Sequence, residues 1–527
     1  MSRTYDDNQT LQQKIMRGAN ILADNVASTL GPRGRNVLLQ EKDKMPFITK
    51  DGVTVAAFVE LEDPMENAAV QIIRQAAVET NNNAGDGTTT ATVLARAILR
   101  ESQKFVASGV SPIELQRGIN LAVTEVVKNL KELARPITSA ADIQHIATIS
   151  ANNDEAIGKL IAMAVDKVGQ DGSITIDESR SIETSVDITE GFRIPAGFCA
   201  GAFVTDQRRN VMTYEEPLIL ITDYKISNVE TILPILEMVA REGRPLIFVA
   251  EEVEGQALAA MIMNAMRGTL QIAAIKAPLY GEERRALLND LALSMGATFI
   301  TREGEKTLTD IKLSDLGTAK SIESTKYDTI IVGGNCDHEA IETRIDSLKS
   351  QIQSTDSLGE CESLQSRITR LSSGVAVIRV GGATEVEMTE KKHRIEDALE
   401  AVRSAQDEGI VPGGGTALLR AASSLIITTN SNDQALGASI IQAACKEPIR
   451  QMAINAGESA DIIMGQIALD INNSDMGWDF RLQHLTDLFK AGIIDPTKVT
   501  RVALQNAASC AGTLITTNFG IIQTEGK

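Results

Sequence analysis

Apolar residues recur at intervals of three and four over residues 9–30, where Leu11, Ile15, Ala19, Ile21, Leu22 and Val26 predict one face of a helix. The same spacing predicts helices over 64–80, 88–107 and 112–133, so the first quarter of the chain reads as almost all helix. A short strand at 37–39 and a strand–turn pattern through Ile48-Thr49-Lys50-Asp51-Gly52-Val53-Thr54-Val55 interrupt it. Around Arg135-Pro136 the rhythm changes: two shorter helices, 140–150 and 154–168, flank Ser150-Ala151-Asn152-Asn153, and strands follow at 172–176 and 185–188. Past Gly191, short apolar runs at 218–221, 246–249, 272–275 and 297–300 alternate with helical patterns at 229–241, 254–267 and 282–293, the layout of a mostly parallel sheet with helices on it. Residues 337–371 read as a helical hairpin turning near Ser357, followed by a strand at 374–382 and a long polar helix at 385–408. After Pro412-Gly413-Gly414-Gly415-Thr416 the pattern is helical to Ala511, and Thr513-Leu514-Ile515-Thr516-Thr517 reads as a last strand.

The order helical, mixed, α/β, mixed, helical is nested. It predicts a multidomain α/β and α protein in which both chain ends close into one domain and the middle is inserted. The paired crossings, near Pro136 with Gly409 and near Gly191 with Gly374, fall at residues suited to hinges or simply to loops. A chain of 527 residues exceeds what a single core supports. Its 70 acidic against 51 basic residues, a formal charge of -19, oppose non-specific attraction to nucleic acid or an anionic membrane surface. Five dispersed cysteines without a CxxC pair, and four scattered histidines, fit a reducing compartment and give no zinc pattern. No signal-peptide core or membrane-length apolar run occurs, so a cytoplasmic protein is expected.

Chemistry concentrates in Gly85-Asp86-Gly87-Thr88-Thr89-Thr90, where glycines flank a carboxylate and three threonines open a helix. Threonine suits a helix start better than a helix interior, and free backbone N–H groups there can hold phosphate oxygens. A carboxylate beside phosphate makes sense with a bridging hard cation such as Mg2+; without a ligand, the same residues make an ordinary capped helix. The turn Thr29-Leu30-Gly31-Pro32-Arg33-Gly34-Arg35-Asn36 offers two arginines and backbone donors to phosphate, or is a surface bend. Asp51, Asp86, Asp397 and Asp495 are carboxylates near glycines or turns. No GxxxxGK[ST], dinucleotide fingerprint or GxSxG is present, which excludes the common nucleotide loop and a serine hydrolase elbow.

These segments, together with Lys50-Asp51-Gly52-Val53-Thr54, Glu254-Gly255-Gln256-Ala257-Leu258, Ala383-Thr384-Glu385-Val386-Glu387-Met388 and Asp495-Pro496-Thr497-Lys498-Val499-Thr500-Arg501, closely resemble the group I chaperonins, in order from about residue 10 to residue 517. The resemblance implies an equatorial ATPase domain (1–135 and 409–527), mostly helical; a small α+β intermediate domain (136–190 and 375–408); and an α/β apical domain (191–374). It implies ATP hydrolysis coupled to folding of unfolded polypeptides, with Asp86 on Mg2+, Thr88, Thr89 and Thr90 on phosphate, and Gly87 in their loop. Thr29, Leu30, Gly31, Pro32, Gly414, Asp479 and Asp495 surround the nucleotide, and the backbone oxygens of Thr29 and Lys50 face K+. Asp397, helped by Asp51, orients the attacking water. Phe198, Phe203, Leu233, Leu236, Leu258, Ile262 and Met263 are the implied exposed capture surface. Seven-membered rings, single or stacked, and a small co-chaperonin lid are the implied partners; the alternative is a nucleotide-binding scaffold or holdase that does not fold its clients.

Three departures stand out. Ala202 replaces the usual tyrosine of the apical surface, Ser459 replaces an acidic residue of the ring–ring contact and so is expected to leave a base such as Arg450 unmatched, and the sequence ends at Lys527 without a Gly-Gly-Met tail. They leave the use of a lid open and predict weak stacking.

Overall fold

The computed structural model describes residues 2–40, 46–168, 173–179, 181–304, 306–335, 338–355, 358–372, 374–470 and 473–524. Gly172, Cys336, Ser357 and the final Glu525-Gly526-Lys527 lie outside the described residues. The chain divides into two compact units, one built from both ends (Met1–Met163 and Gly382–Lys527) and one from the middle (Ala164–Gly381).

The unit made from the ends is helical because its periodic stripes find one another. Asn8–Ala27, Pro64–Ala84, Thr88–Val106, Pro112–Leu133 and Thr497–Ile515 bury Leu22, Ile73, Leu94, Ile98, Leu115, Ile119 and Leu504 in one core. Small residues set how closely the helices approach. A Cβ on Gly118 would lie 2.1 Å from the Gln434 carbonyl oxygen, and one on Gly437 2.4 Å from that of Leu115. Helices Pro112–Leu133 and Asn432–Ala444 therefore pack backbone against backbone at a point where any side chain would force them apart.

Two sequence expectations fail at the C-terminal end. The run 513–517 is not a strand: the last helix continues to Ile515, and the final strand is Phe519–Thr524, paired antiparallel with Ser2–Asp7. The β-branched run is held helical by burial of Leu514 and Ile515, while the Thr513, Thr516 and Thr517 hydroxyls donate to carbonyls one turn back. The stretch read as uninterrupted helix also contains an antiparallel hairpin, Met476–Asp479 with His484–Asp487, and a short pair, Ile410–Pro412 with Ile494–Pro496. The paired crossing near Gly409 is closed by reciprocal bonds between Arg135 and Ile410, 2.9 and 2.8 Å.

In the middle unit Leu218–Ile221, Leu246–Ala250 and Ile272–Lys276 form the expected parallel strands, joined at one edge by antiparallel Gly317–Thr318. The predicted strand at 297–300 does not form. Only Ile300 bridges to Thr222, because the Ala297 and Thr298 amides bond instead to the Ala292 and Asp315 carbonyls. A second, six-stranded mixed sheet was legible only in part: the strands read at 172–176, 185–188 and 374–382 belong to it as Ser173–Glu178, Ser185–Ile194 and Gly374–Val380, whereas Met212–Glu215, Ser321–Ser324 and Thr329–Val332, each only four residues long, were not read. Its long strand Ser185–Ile194 lies antiparallel to Gly374–Val380, placing Glu190 opposite Gly374. The predicted helical hairpin is present as His338–Ser354 and Leu358–Ser372. It is tied to helix Gly281–Met295 through the buried Asp290 carboxylate, which meets Arg344 at 3.0 Å and Arg367 at 2.6 Å. Among the described residues no helix is long and apolar enough to cross a membrane.

Candidate functional site

The loop between Pro64–Ala84 and Thr88–Val106 turns in three residues. Gly85 and Gly87 take left-handed backbone angles, φ 70° and 85°, and a Cβ at either would strike Glu400 or Val499, at 2.0 and 2.6 Å. Only glycine fits both demands. Asp86 is presented between them: its Oδ1 accepts the Gly87 N–H (2.5 Å) and its Oδ2 the Ser150 hydroxyl (2.9 Å). Burial pushes the Asp86 carboxyl up from its ordinary value, and the Asp51 charge adds to this.

Asp51 itself caps helix Gly52–Phe58, accepting from the Val53 and Thr54 amides and, at 2.5 Å, from the Thr54 hydroxyl. This helix start abuts the other: a Cβ on Gly52 would stand 2.4 Å from Thr89 Oγ1 and 2.7 Å from Thr88 Oγ1. Thr29 Oγ1 lies 3.4 Å from Thr89 Oγ1, and Lys50 Nζ donates to the Gly31 carbonyl at 3.2 Å. Burial holds the Lys50 ammonium below its usual range. Asn455 Nδ2 fixes the 29–32 turn by donating to the Ala27 and Leu30 carbonyls, both at 2.9 Å. Arg33 does not face phosphate here; it donates to the Phe480 and Arg481 carbonyls, both at 3.2 Å.

One cleft of about 930 Å³ collects the whole predicted set: the 29–32 turn, Lys50 and Asp51, the Asp86–Thr90 loop, Asp397, Gly414, Asp479 and Asp495. Asp495 is brought in by the strand pair with Val411. Its carboxyl is pushed up to about 7, first by burial and then by the Asp86 charge. Asp479 spends Oδ1 on the Arg481 and Leu482 amides (2.7 and 3.0 Å), shaping the hairpin turn that walls the cleft. Asp397 is carried by helix Glu385–Glu408; one turn earlier Arg394 reaches Asp154 at 3.2 Å and Glu390 at 2.7 Å.

The donor set suits a phosphate ester with a hard cation: a helix N-terminus of backbone amides and hydroxyls beside carboxylates that repel each other until a cation joins them. Among the described residues no three His, Cys, Asp or Glu side chains converge on a metal site. A Mg2+ at Asp86 would therefore take its remaining ligands from phosphate and water, as this ion commonly does.

The sequence reading missed Ser150, Asn152 and Asn153, all of which line the cleft. Both asparagines hold positive φ, 59° and 63°. The signal was present: an Asn-Asn pair directly after a helical pattern, from a residue type that tolerates left-handed backbone.

The implied capture residues divide. Leu233 and Met263 are exposed, by 46% and 51%, and Phe198, Leu258 and Ile262 are half-buried. Phe203 and Leu236 are not a surface: at 1% and 7% exposure they belong to the core of the middle unit. Helix Leu233–Glu242 turns Leu236 inward with Ile235 and Val239, the face that joins the core of the middle unit. Arg450 is likewise not left unmatched by Ser459, since Asp461 pairs with it at 3.0 Å and Glu447 at 3.4 Å.

Residues 22–524 match the model of the TCP-1/cpn60 chaperonin family. The fold is similar to that of the chaperonin gp146 from the bacteriophage EL 2 (Pseudomonas aeruginosa), with a TM-score of 0.66 and 22% identity over 99% of each chain. A match that spans nearly the whole sequence places this chain in the TCP-1/cpn60 chaperonin family.

Proposed function

We propose that this cleft binds and hydrolyses ATP and that the chain is an ATP-dependent chaperone that captures unfolded polypeptides and promotes their folding. The observation that carries the assignment of residues is the convergence of Asp51, Asp86 and Asp397 with the Thr88–Thr90 helix start on one cavity. The backbone amides and hydroxyls of Thr88, Thr89 and Thr90 hold phosphate oxygens. The 29–32 turn, Gly414, Asp479 and Asp495 enclose the nucleoside. Bound Mg2+ supplies charge neutralisation on the phosphates, with Asp86 as its protein ligand; the backbone oxygens of Thr29 and Lys50 suit a K+. Asp397, with Asp51, accepts a hydrogen bond from the attacking water and aims it at the terminal phosphorus, so the hydrolytic gain comes from positioning and fixed charge. The similar phage chaperonin was crystallised in the presence of ATP-BeFx, in line with a cleft of this kind.

Leu233 and Met263, with Leu258 and Ile262 beside them, form the capture surface, and the three-domain division at residues 136, 191, 375 and 409 frames it. The subunits assemble as seven-membered rings. Stacking of rings is weak, because position 459 lacks a charge and Arg450 is engaged by Asp461 in its own chain; exposed ion pairs contribute only about 0–1 kcal/mol each. Native mass measurement with and without ATP at two salt concentrations tests this: a stacked double ring under every condition would overturn it.

The deciding experiment is refolding of a denatured test enzyme with ATP, with ADP and without nucleotide. ATP-dependent recovery supports the reading. Capture without recovery would make the chain a holdase, and neither capture nor recovery would make it a scaffold.

A further inference from the structure

We infer that Ser150 is a positioning residue for the metal–nucleotide site: its hydroxyl orients Asp86 and thereby sets the affinity for the divalent ion. The inference rests on the reading of Asp86 as the metal ligand. Asp86 projects from a loop of two glycines, which by themselves give its side chain no packing partner on either flank. What fixes the carboxylate is one hydrogen bond at each oxygen: the neighbouring Gly87 amide at Oδ1 and the Ser150 hydroxyl at Oδ2, 2.9 Å away. The first is local and moves with the loop. The second comes from 64 residues further along the chain and is the one that refers Asp86 to an independent element.

That element is built to hold its place. Ser150 is the last residue of helix Ala140–Ser150, and Ala151 after it is completely buried. Asn152 and Asn153 then close the helix end in left-handed conformation, their amides returning to the Ile149 and Thr148 carbonyls at 3.1 and 2.8 Å. Two consecutive non-glycine residues at positive φ form a costly conformation, tolerated best by asparagine and kept only where the surroundings hold it. An ionised carboxylate offers about four lone-pair sites. Two are taken by these donors, so the plane is set while the others stay available to a cation. Partners of this kind, one step removed from the ion, typically change metal affinity by about 10–100-fold when lost.

The test uses Mn2+ as a spin probe in the presence of ADP, so binding is read without turnover. Ser150→Ala should weaken Mn2+–ADP binding about 10-fold and raise the Mg2+ needed for half-maximal ATP hydrolysis in parallel, with most of the maximal rate recovered at saturating Mg2+. Ser150→Thr, which keeps the hydroxyl, should restore the affinity. Asp86→Asn is the control on the underlying reading. If Asp86→Asn leaves Mn2+–ADP binding intact, the assignment of Asp86 fails. If Asp86→Asn abolishes it but Ser150→Ala does not move it, or Ser150→Thr moves it as far as Ser150→Ala, the role of Ser150 is overturned. Thermal unfolding of each variant separates a lost fold from a lost bond, and should Ser150→Ala not fold, the Ser150→Thr and Ser150→Cys pair carries the comparison, the weaker thiol donor giving an intermediate loss.

Discussion

The two units treat their predicted residues differently. In the unit made from the chain ends, the predicted glycine, threonine and aspartate positions reach the same cleft, and the arginines of the 29–36 turn do not line it. In the middle unit, the apolar positions implied for capture scatter from fully buried Phe203 to half-exposed Met263. The difference is chemical. A Gly-Asp-Gly-Thr turn or a capping aspartate fixes a local backbone shape at a helix start, with or without a ligand, so its position follows closely from its sequence. A leucine on an amphipathic helix serves a core as well as a capture surface, and spacing alone does not say which. Leu233 and Leu236 sit three residues apart on one helix, yet the first is outside and the second inside.

Asp397→Ala gives the largest expected effect on the first side of this contrast: steady-state ATP hydrolysis should fall by about 10²-fold or more while ATP binding persists. Unchanged turnover in a pure D397A sample would remove Asp397 from the hydrolytic role and leave the convergence in the cleft without its catalytic meaning.

On the other side, Leu236→Ala should cost the middle unit about 2–5 kcal/mol, the usual range for deleting a buried leucine, measured as a shift in its denaturant midpoint. Stability within error of wild type would return Leu236 to the surface and erase the distinction from Leu233.

An effect of about 1–3 kcal/mol is expected from pH in the nucleotide-free protein with chelator present. Because the folded-state value of Asp495 is raised from 3.8 to about 7, its contribution to stability is complete below the lower value and is lost as pH rises through the higher one. Wild type should therefore lose stability as pH rises from about 4 to about 7 and level off above that, and Asp495→Asn should lose less. Equal losses in the two proteins would mean that the carboxyl is better solvated in the cleft than its burial indicates.

The smallest change in stability belongs to Met263→Ser, within about 0.5 kcal/mol as for most exposed positions. Capture of unfolded polypeptide should nevertheless drop clearly, as judged by suppression of aggregation of a denatured client. If M263S captures normally, the exposed side chain is not part of the capture surface, and the division between the two units would rest on burial alone.

The sequence by itself determined the long helices of the end-built unit before Ala134 and at 385–408, because helical patterns sustained over about twenty residues leave little choice of structure. Pro112–Leu133 and Glu385–Glu408 begin and end within a residue of their periodic patterns. Two of the cleft's local shapes were also visible in it, Asp86 between two glycines and Asp51 before a helix start. Tertiary structure decided the rest. The strands Met212–Glu215, Ser321–Ser324 and Thr329–Val332 are too short to carry a period and exist because neighbours hydrogen-bond to them. The 513–517 run, β-branched by composition, became helix because its apolar members had a core to enter. Ser150 reached Asp86 only when helix Ala140–Ser150 was folded beside the Gly85–Gly87 loop, and Leu236 turned inward only when its helix joined the core of the middle unit. Local propensity is set within a few residues; burial and long-range hydrogen bonds depend on which distant segment arrives, and that is settled only by the packed fold.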